Sequence, residues 1–184
     1  MRTERVFLLL FIISLGMRLL HVQGADGVLI CTLGGLALLY CFLGFYLFNE
    51  DGVPGQVVLI SIIAGVLLAI APVGILFRLQ YWPQGKTQAM FGAMFSLITL
   101  LVVLMLKFTS EDKRLQKYYT NMVLRSLVLF VLTATLFMVP RSKLIAIEHW
   151  DDPKLAGLKI RHLNNREDTA ARKAYIMYMR KKGG

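Results

Sequence analysis

Two stretches of this chain, residues 27–48 and 57–77, contain no charged side chain over more than twenty consecutive positions. A helix that crosses a bilayer needs about 20 mostly apolar residues and bonds its backbone polar groups internally. Three further apolar segments lie at 6–20, 88–106 and 121–139, which makes five predicted membrane helices. Composition agrees, because 57% of the residues are hydrophobic and only 17% are charged. The sequence therefore predicts an all-α, polytopic helical membrane protein with about five transmembrane helices.

Two of the apolar segments end in the same way, sixty residues apart. Arg18 and Leu19 are followed by the ring of His21, and Arg78 and Leu79 are followed by the ring of Tyr81. In both places a turn then leads into a second apolar helix. Similarity at a fixed spacing is typical of repeated structural units. It predicts a tandem repeat of one helical hairpin.

Four regions follow from this pattern. The first hairpin covers 1–50, the second hairpin 51–106, a connector with the fifth membrane helix 107–140, and a basic helical tail 141–184. A cluster of Asn, Asp, Gly and Pro at 49–55 favours a turn between the hairpins. Small-residue surfaces at Gly34–Gly35, Gly44 and Gly92 predict close approach of neighbouring helices.

Helix-start signals occur in the connector and in the tail. Ser110 is the predicted cap of the segment that leads into the fifth helix, and Tyr118–Tyr119 are expected at the membrane interface. In the tail, Asp152 before Pro153 predicts a helix start. A break at Asn164–Asn165 and a new start at Asp168 or Thr169 predict a second tail helix.

The positive charge is concentrated in the tail. From residue 141 onward there are eleven Lys or Arg and five Asp or Glu, which account for +6 of the net charge of +10. In a membrane protein such charge favours anionic lipid headgroups, and we expect no nucleic-acid partner. The tail helices are expected to lie on the membrane, to fold back onto the bundle or to dock on a partner protein. The sequence leaves these alternatives open.

The repeated turn supplies the candidate site residues. A charge near the end of an apolar helix is costly at depth, so Arg18 and Arg78 are expected to snorkel to the interface or to cap backbone carbonyls. Arg18 can reach Asp26 across its own turn, whereas Arg78 has no acid in its turn. The predicted turn motif and interface anchors are Arg18, His21, Arg78, Tyr81, Trp82 and Pro83, with Trp82 at the level of the lipid headgroups.

Several classes of function are disfavoured by what the apolar segments contain. None of the five segments contains an Asp or Glu, the residues that usually bind the driving ion in proton- or sodium-driven machines. His21, His149 and His162 are widely separated, and no nucleophile elbow or metal-ligand spacing is present. We therefore expect no enzymatic activity, no cofactor and no metal site.

The segment from Leu76 to Gly85 resembles the Phe-Lys-Ile-x-His-Trp-Pro-Gly pattern of the GldL/PorL proteins. These are two-helix membrane subunits of the gliding-motility and type IX secretion motor of Bacteroidetes. The resemblance places Arg78 at the lysine, Tyr81 at the histidine and Trp82–Pro83 at the turn, and residues 6–106 resemble two such hairpins in tandem. The glutamate thought to handle the driving ion in that family has no counterpart here. The resemblance thus implies a shared hairpin scaffold in a Bacteroidetes inner membrane, without a working motor.

The expected function is that of a non-enzymatic scaffold or accessory subunit in a bacterial inner-membrane assembly. Its expected partners are anionic lipids and other membrane proteins or a second copy of the chain. The alternative is a small anion transporter or channel with its site at the repeat interface. In that alternative Arg18 and Arg78 attract the anion, and Pro72 breaks the third helix.

Overall fold

The structure is a computed structural model that describes residues 2–48, 58–165 and 168–183. The described residues form helices and no strand, which confirms the all-α fold class. The elements in chain order are α1 (Arg2–Leu19), α2 (Ala25–Phe48), α3 (Val58–Leu79), α4 (Gly85–Thr109), α5 (Lys113–Met138), α6 (Arg141–Glu148), α7 (Pro153–Asn164) and α8 (Thr169–Gly183). The predicted turn at 49–55 and the surroundings of Gly44 lie outside the described part.

Four helices, α2 to α5, are long and apolar enough to cross a membrane within the described part of the chain. The chain is therefore a helical membrane protein by length and composition. Helix α1 has 18 residues but is not among these four. It carries four charged residues, Arg2, Glu4, Arg5 and Arg18, of which only Arg18 lies within the predicted first span of 6–20.

Helices α1 to α5 form a bundle in which consecutive helices run in opposite directions. Helices α3 and α4 lie at its centre, since α2 packs on α3 and α5 packs on both α3 and α4. Helix α1 packs on α2 at the edge and meets α6. Both hairpin turns and the tail therefore lie at one end of the bundle, which we name the turn end. The opposite end, near residues 5, 42, 58 and 110, is the loop end.

The core runs along the centre of this bundle. Helix α3 contributes Leu68 and Ile75, which pack with Leu29 of α2 and Met122 of α5, all of them almost completely buried. Pro72 is buried inside α3, which continues through it as one helix from Val58 to Leu79. The expectation that Pro72 breaks the third helix is therefore wrong. Neighbouring helices can support a proline within an apolar bundle.

The two hairpins differ in how closely their helices approach. A Cβ placed on Gly74 would lie 2.6 Å from the carbonyl oxygen of Gln88, and one on Gly92 would lie 3.0 Å from the Cα of Ala71. The prediction for Gly92 is thus confirmed.

In the first hairpin, a Cβ on Gly34 would meet no neighbouring element of the described part within 4 Å, whereas one on Gly35 would lie 3.0 Å from the ring of Phe7 on α1. The contact predicted for Gly34–Gly35 is therefore made at Gly35, against a side chain of α1, whereas Gly74 and Gly92 meet the backbone of the neighbouring helix.

The connector differs from the prediction in two respects. Asp112 caps α5, since its side chain accepts from the backbone N–H of Arg114 at 2.8 Å, whereas Ser110 ends α4. Tyr118 and Tyr119 are buried in the bundle, and the Tyr118 hydroxyl bonds to Ser61 of α3. The rings therefore do not form an exposed interface belt. A tyrosine can be buried when its hydroxyl finds a partner.

The tail contains one helix more than predicted. Helix α7 starts after Asp152, which accepts from the N–H of Leu155 at 3.0 Å, and ends at Asn164. Helix α8 starts after Asp168, whose side chain accepts from the backbone N–H groups of Ala170 and Ala171. Both predicted helices are confirmed. Helix α6 was not predicted, and it connects the membrane bundle to the other two.

Candidate functional site

The two hairpin turns have the same backbone hydrogen bonds. The N–H of Val22 donates to the carbonyl of Met17 at 2.9 Å, and the N–H of His21 donates to that of Arg18 at 3.1 Å. The equivalent bonds in the second turn run from Trp82 to Phe77 at 3.1 Å and from Tyr81 to Arg78 at 3.4 Å. This pair of bonds defines a Schellman motif, which ends a helix by satisfying its last carbonyls. The duplicated turn predicted from the sequence is present in the structure.

Each turn places a ring side chain where glycine is customary. His21 has φ 54° and Tyr81 has φ 55°, and both lie in the left-handed region. That conformation costs a residue with a Cβ about 1–2 kcal/mol. Residues held there against this cost are concentrated at positions where surrounding contacts fix them. Both rings in fact lie in contact with the tail.

Glu148, the last residue of α6, joins the tail to the first hairpin. Its carboxylate accepts from Arg18 at 3.3 Å and from Lys159 of α7 at 2.9 Å. Arg18 also lies 3.4 Å from the carboxylate of Asp26 at the start of α2, as the sequence predicted. The carboxylate of Glu148 thus links α6 to the end of α1 and to α7. We name Arg18, Asp26, Tyr81, Arg141, Glu148 and Lys159 the turn-end cluster.

Tyr81 joins the second hairpin to the same cluster. Three cations lie over its buried ring, at 5.4 Å for Arg18, 5.8 Å for Arg141 and 5.0 Å for Lys159. Its backbone carbonyl accepts from Arg141, and its hydroxyl is hydrogen-bonded to Glu148. Aromatic faces attract cations more strongly when water is removed. Tyr81 therefore links the turn to α6 and α7 through its ring, its hydroxyl and its carbonyl.

The electrostatics of the cluster are those of a paired carboxylate. Burial raises the pKa of Glu148, but Lys159, Arg18 and the hydrogen bonds from Tyr81 and Lys159 outweigh it and lower the pKa to about 2. Burial, together with the Glu148 carboxylate, raises the pKa of Tyr81. Burial also lowers the pKa of Lys159, although Glu148 acts in the opposite direction. Glu148 is therefore ionised at neutral pH and bonded to cations that it neutralises.

Two histidines extend the cluster at its rim. His21 donates from Nε2 to Asp151 at 2.9 Å, and its ring is stacked on that of His149 at 5.1 Å with the planes 4° apart. The Lys159 ammonium donates to Nε2 of His149 at 3.0 Å. Because an ammonium can only donate, His149 accepts there and is neutral. Burial and the charge of Lys159 lower the pKa of His149.

Arg78 occupies the same position in its turn as Arg18 but has different partners. Its side chain is only 7% exposed, and it donates to the carbonyls of Leu136 at 3.0 Å and Val139 at 2.5 Å. These carbonyls are at the end of α5, where helical residues leave their acceptors unpaired. The expected capping of backbone carbonyls is confirmed for Arg78.

Trp82 and Pro83 lie beside the cluster and outside it. The indole of Trp82 is 37% exposed and meets the ring of Phe77 edge-to-face at 4.9 Å. Pro83 is exposed at the turn. The position of Trp82 relative to lipid headgroups stays a prediction.

The sequence identified only part of the site. Arg18, His21 and Tyr81 contact the tail, whereas Arg78 caps the end of α5. The residues missed were Arg141, Glu148, His149 and Lys159. One signal for Glu148 is visible in the sequence, because it is the only acid between residues 113 and 150 and follows an apolar run. Its partners are up to 130 residues away, so no local pattern identifies them.

Comparison with protein-family models, with curated proteins and with solved structures gives no match to this chain. Within the described residues, no group of three or more His, Cys, Asp or Glu is placed to hold a metal ion.

Proposed function

We propose that this protein is a non-enzymatic scaffold or accessory subunit of a bacterial inner-membrane assembly, which holds a basic helical platform at the membrane surface. The platform is formed by α7 and α8. The observation that supports the proposal is the bonding of Glu148 to Arg18 and Lys159, which ties the platform to the membrane bundle. The most prominent charges of the turn are thus used to fix one element on another, which is a structural task.

The platform is fixed internally as well as to the bundle. Tyr178 of α8 donates to the carboxylate of Asp152 at 3.2 Å, and Lys154 lies 5.5 Å from the Tyr178 ring. The rings of His162 and Tyr175 are stacked at 5.7 Å. Helix α8 is therefore positioned on α7 through Tyr175 and Tyr178, which lie one helical turn apart. An ordered surface binds a partner with less loss of conformational entropy than a mobile tail.

The exposed side of the platform is strongly basic. Its exposed cations are Lys154, Arg161, Arg172, Lys173, Arg180 and Lys181. An acidic surface on a neighbouring subunit would be complementary to this face, which favours its association and its orientation. A relation to gliding-motility or type IX secretion assemblies is part of the proposal and is supported by the turn motif around Arg78 and Tyr81.

The alternative of a small anion transporter has less support. It requires Arg78 near a pathway, but Arg78 donates to the carbonyls of α5. It also uses a break in α3, which is continuous through Pro72.

The scaffold proposal is tested by cross-linking in cells followed by purification in mild detergent. We expect the intact chain to capture a specific membrane partner. The double substitution Arg172→Glu and Arg180→Glu should abolish capture, because it reverses charge on the platform, and Glu148→Ala should weaken capture by releasing the platform. Glu111→Gln, an exposed acid at the loop end, serves as the control and should leave capture unchanged. A lone monomer that captures no protein under these conditions would show the proposal to be wrong.

A further inference from the structure

A slot along one side of the bundle shares no lining residue with the turn-end cluster. It lies between α1 and α5, with α2 and α3 behind it, and has a volume of about 220 Å³. Helix α1 packs on α2, and α5 packs on α3 and α4. The slot is the space that remains between α1 and α5 at the edge of the bundle. On α5 its lining residues run from Asn121 to Leu132, about three helical turns or roughly 16 Å. The slot is therefore narrow and elongated along the helices.

The slot has one polar end. Arg5, Asn121 and Arg125 line it toward the loop end, and their guanidinium and amide groups can donate hydrogen bonds. The deeper lining is apolar and includes Leu33, Pro72 and Leu132. Its surface thus changes from cationic to apolar along the helix direction.

We propose that this slot binds one anionic phospholipid of the surrounding bilayer, with its phosphate at Arg5 and Arg125 and an acyl chain along α5. The shape supports this occupant, because acyl chains lie along the same direction as membrane helices. The charge supports it too, since planar guanidinium groups bind phosphate bidentately and basic sites between membrane helices bind anionic head groups. The lipid fills the gap between α1 and α5 and fastens the edge helix to the bundle.

The test uses the full chain, purified in detergent with equal amounts of phosphatidylglycerol and phosphatidylcholine of the same chain length. Native mass spectrometry counts the retained lipid. We expect one phosphatidylglycerol per chain, retained at least about tenfold over phosphatidylcholine. Equal retention of the two lipids, or retention of neither, would overturn the proposal. This comparison needs no substitution, so it decides the question even if a variant does not fold.

Matched variants then locate the site. Arg5→Gln with Arg125→Gln should reduce retention about tenfold, whereas Lys113→Gln with Arg114→Gln removes two exposed cations at the same end and should change it less than about twofold. Leu132→Trp fills the slot and should prevent retention, while Leu101→Trp on the exposed face of α4 should not. Equal effects within either pair would overturn the assignment to the slot.

A final arm separates the phospholipid from a free fatty acid, which has the same combination of an acyl chain and an anionic group. Palmitate is added at the concentration of phosphatidylglycerol. Continued retention of phosphatidylglycerol supports the proposal, and its displacement by palmitate would overturn the phospholipid as the occupant.

Discussion

The two hairpins of this protein have turns with the same backbone geometry, but the arginine that precedes each turn has different partners. In the second hairpin Arg78 is buried and caps the end of α5, and α3 and α4 approach closely at Gly74 and Gly92. In the first hairpin Arg18 binds the carboxylate of Glu148 at the tail, and α1 lies at the edge of the bundle. The turn is set by local backbone chemistry, whereas the partner of its arginine is set by which element packs against it.

This difference explains why a duplicated unit need not have a duplicated function. The second copy has become the packing centre, with neighbours on both sides. The first copy keeps an exposed apolar surface on α1, including Leu9, Ile12 and Ile13. One hairpin therefore stabilises the bundle, and the other makes contact with the tail and with the lipid proposed above.

The largest expected effect tests the difference in helix packing. In Gly74→Ala the new methyl meets the backbone of α4, so we expect a loss of about 3 kcal/mol, the upper end for overpacking. The matched change Gly34→Ala has open space and gains helix propensity, so it should be neutral or stabilising by up to about 1 kcal/mol. Thermal unfolding in detergent measures both. Similar losses in the two variants would show that the hairpins pack alike.

The next effect compares the two arginines. Arg78→Met leaves the carbonyls of Leu136 and Val139 without their donor, and an unsatisfied buried acceptor costs about 1–3 kcal/mol. We expect about 2–3 kcal/mol for the variant.

Arg18→Met should cost less, about 1 kcal/mol, because Glu148 keeps its bond to Lys159. Thermal unfolding again gives the ranking. The comparison between the hairpins fails if Arg18→Met is the more damaging of the two.

Low pH should weaken the contact of Arg18 with the tail and leave the contact of Arg78 with α5 unchanged. The pKa of Glu148 is about 2 in the folded protein and 4.5 ordinarily, so its stabilisation is present above about pH 5 and is lost as the pH falls from 4.5 toward 2. We expect about 2 kcal/mol, allowing for partial exposure. Arg78 bonds to carbonyls, which do not titrate, so its contact with α5 should persist.

Hydrogen exchange at pH 6 and pH 3, corrected for the intrinsic rate, follows this release. The tail should lose protection while α3 and the end of α5 keep it, and Glu148→Gln should remove the part of this loss that Glu148 contributes. His149 contributes a separate loss that begins below pH 6.5, because its pKa is lowered in the fold. Uniform loss of protection throughout the bundle would contradict a local release.

The smallest effect concerns the residue after each ring. Trp82→Ala removes the indole from Phe77 and, by the interface prediction, a headgroup anchor, so we expect a loss of about 1–2 kcal/mol. Val22→Ala, at the equivalent position, should cost less. Membrane abundance and thermal stability of the two variants provide the measurement, and a greater effect from Val22→Ala would refute the asymmetry.

Much of the fold could be predicted because its signals are local. Apolar segments identified α2 to α5, Arg-Leu followed by a ring identified the turns, and Asp152–Pro153 identified α7. The predictions were wrong where contacts with another helix determine the environment of a side chain. Tyr118 is amphipathic enough for an interface, but Ser61 on another helix gives its hydroxyl a buried partner. Pro72 is a helix breaker by propensity, but it remains inside a continuous α3.

The sequence by itself determined the helical membrane fold, the repeated turn and the two tail helices, because short-range hydrogen bonding and hydropathy act over a few neighbouring residues. Only the tertiary structure decided that Arg78 caps α5, that Glu148 joins Arg18 to Lys159, and that Tyr81 is covered by the tail. Those contacts join residues from 11 to 130 positions apart. These contacts form because a buried charge without a partner is costly. An opposite charge or a backbone carbonyl can serve as that partner if it lies within reach. The folded arrangement of the helices determines which of these partners is in reach.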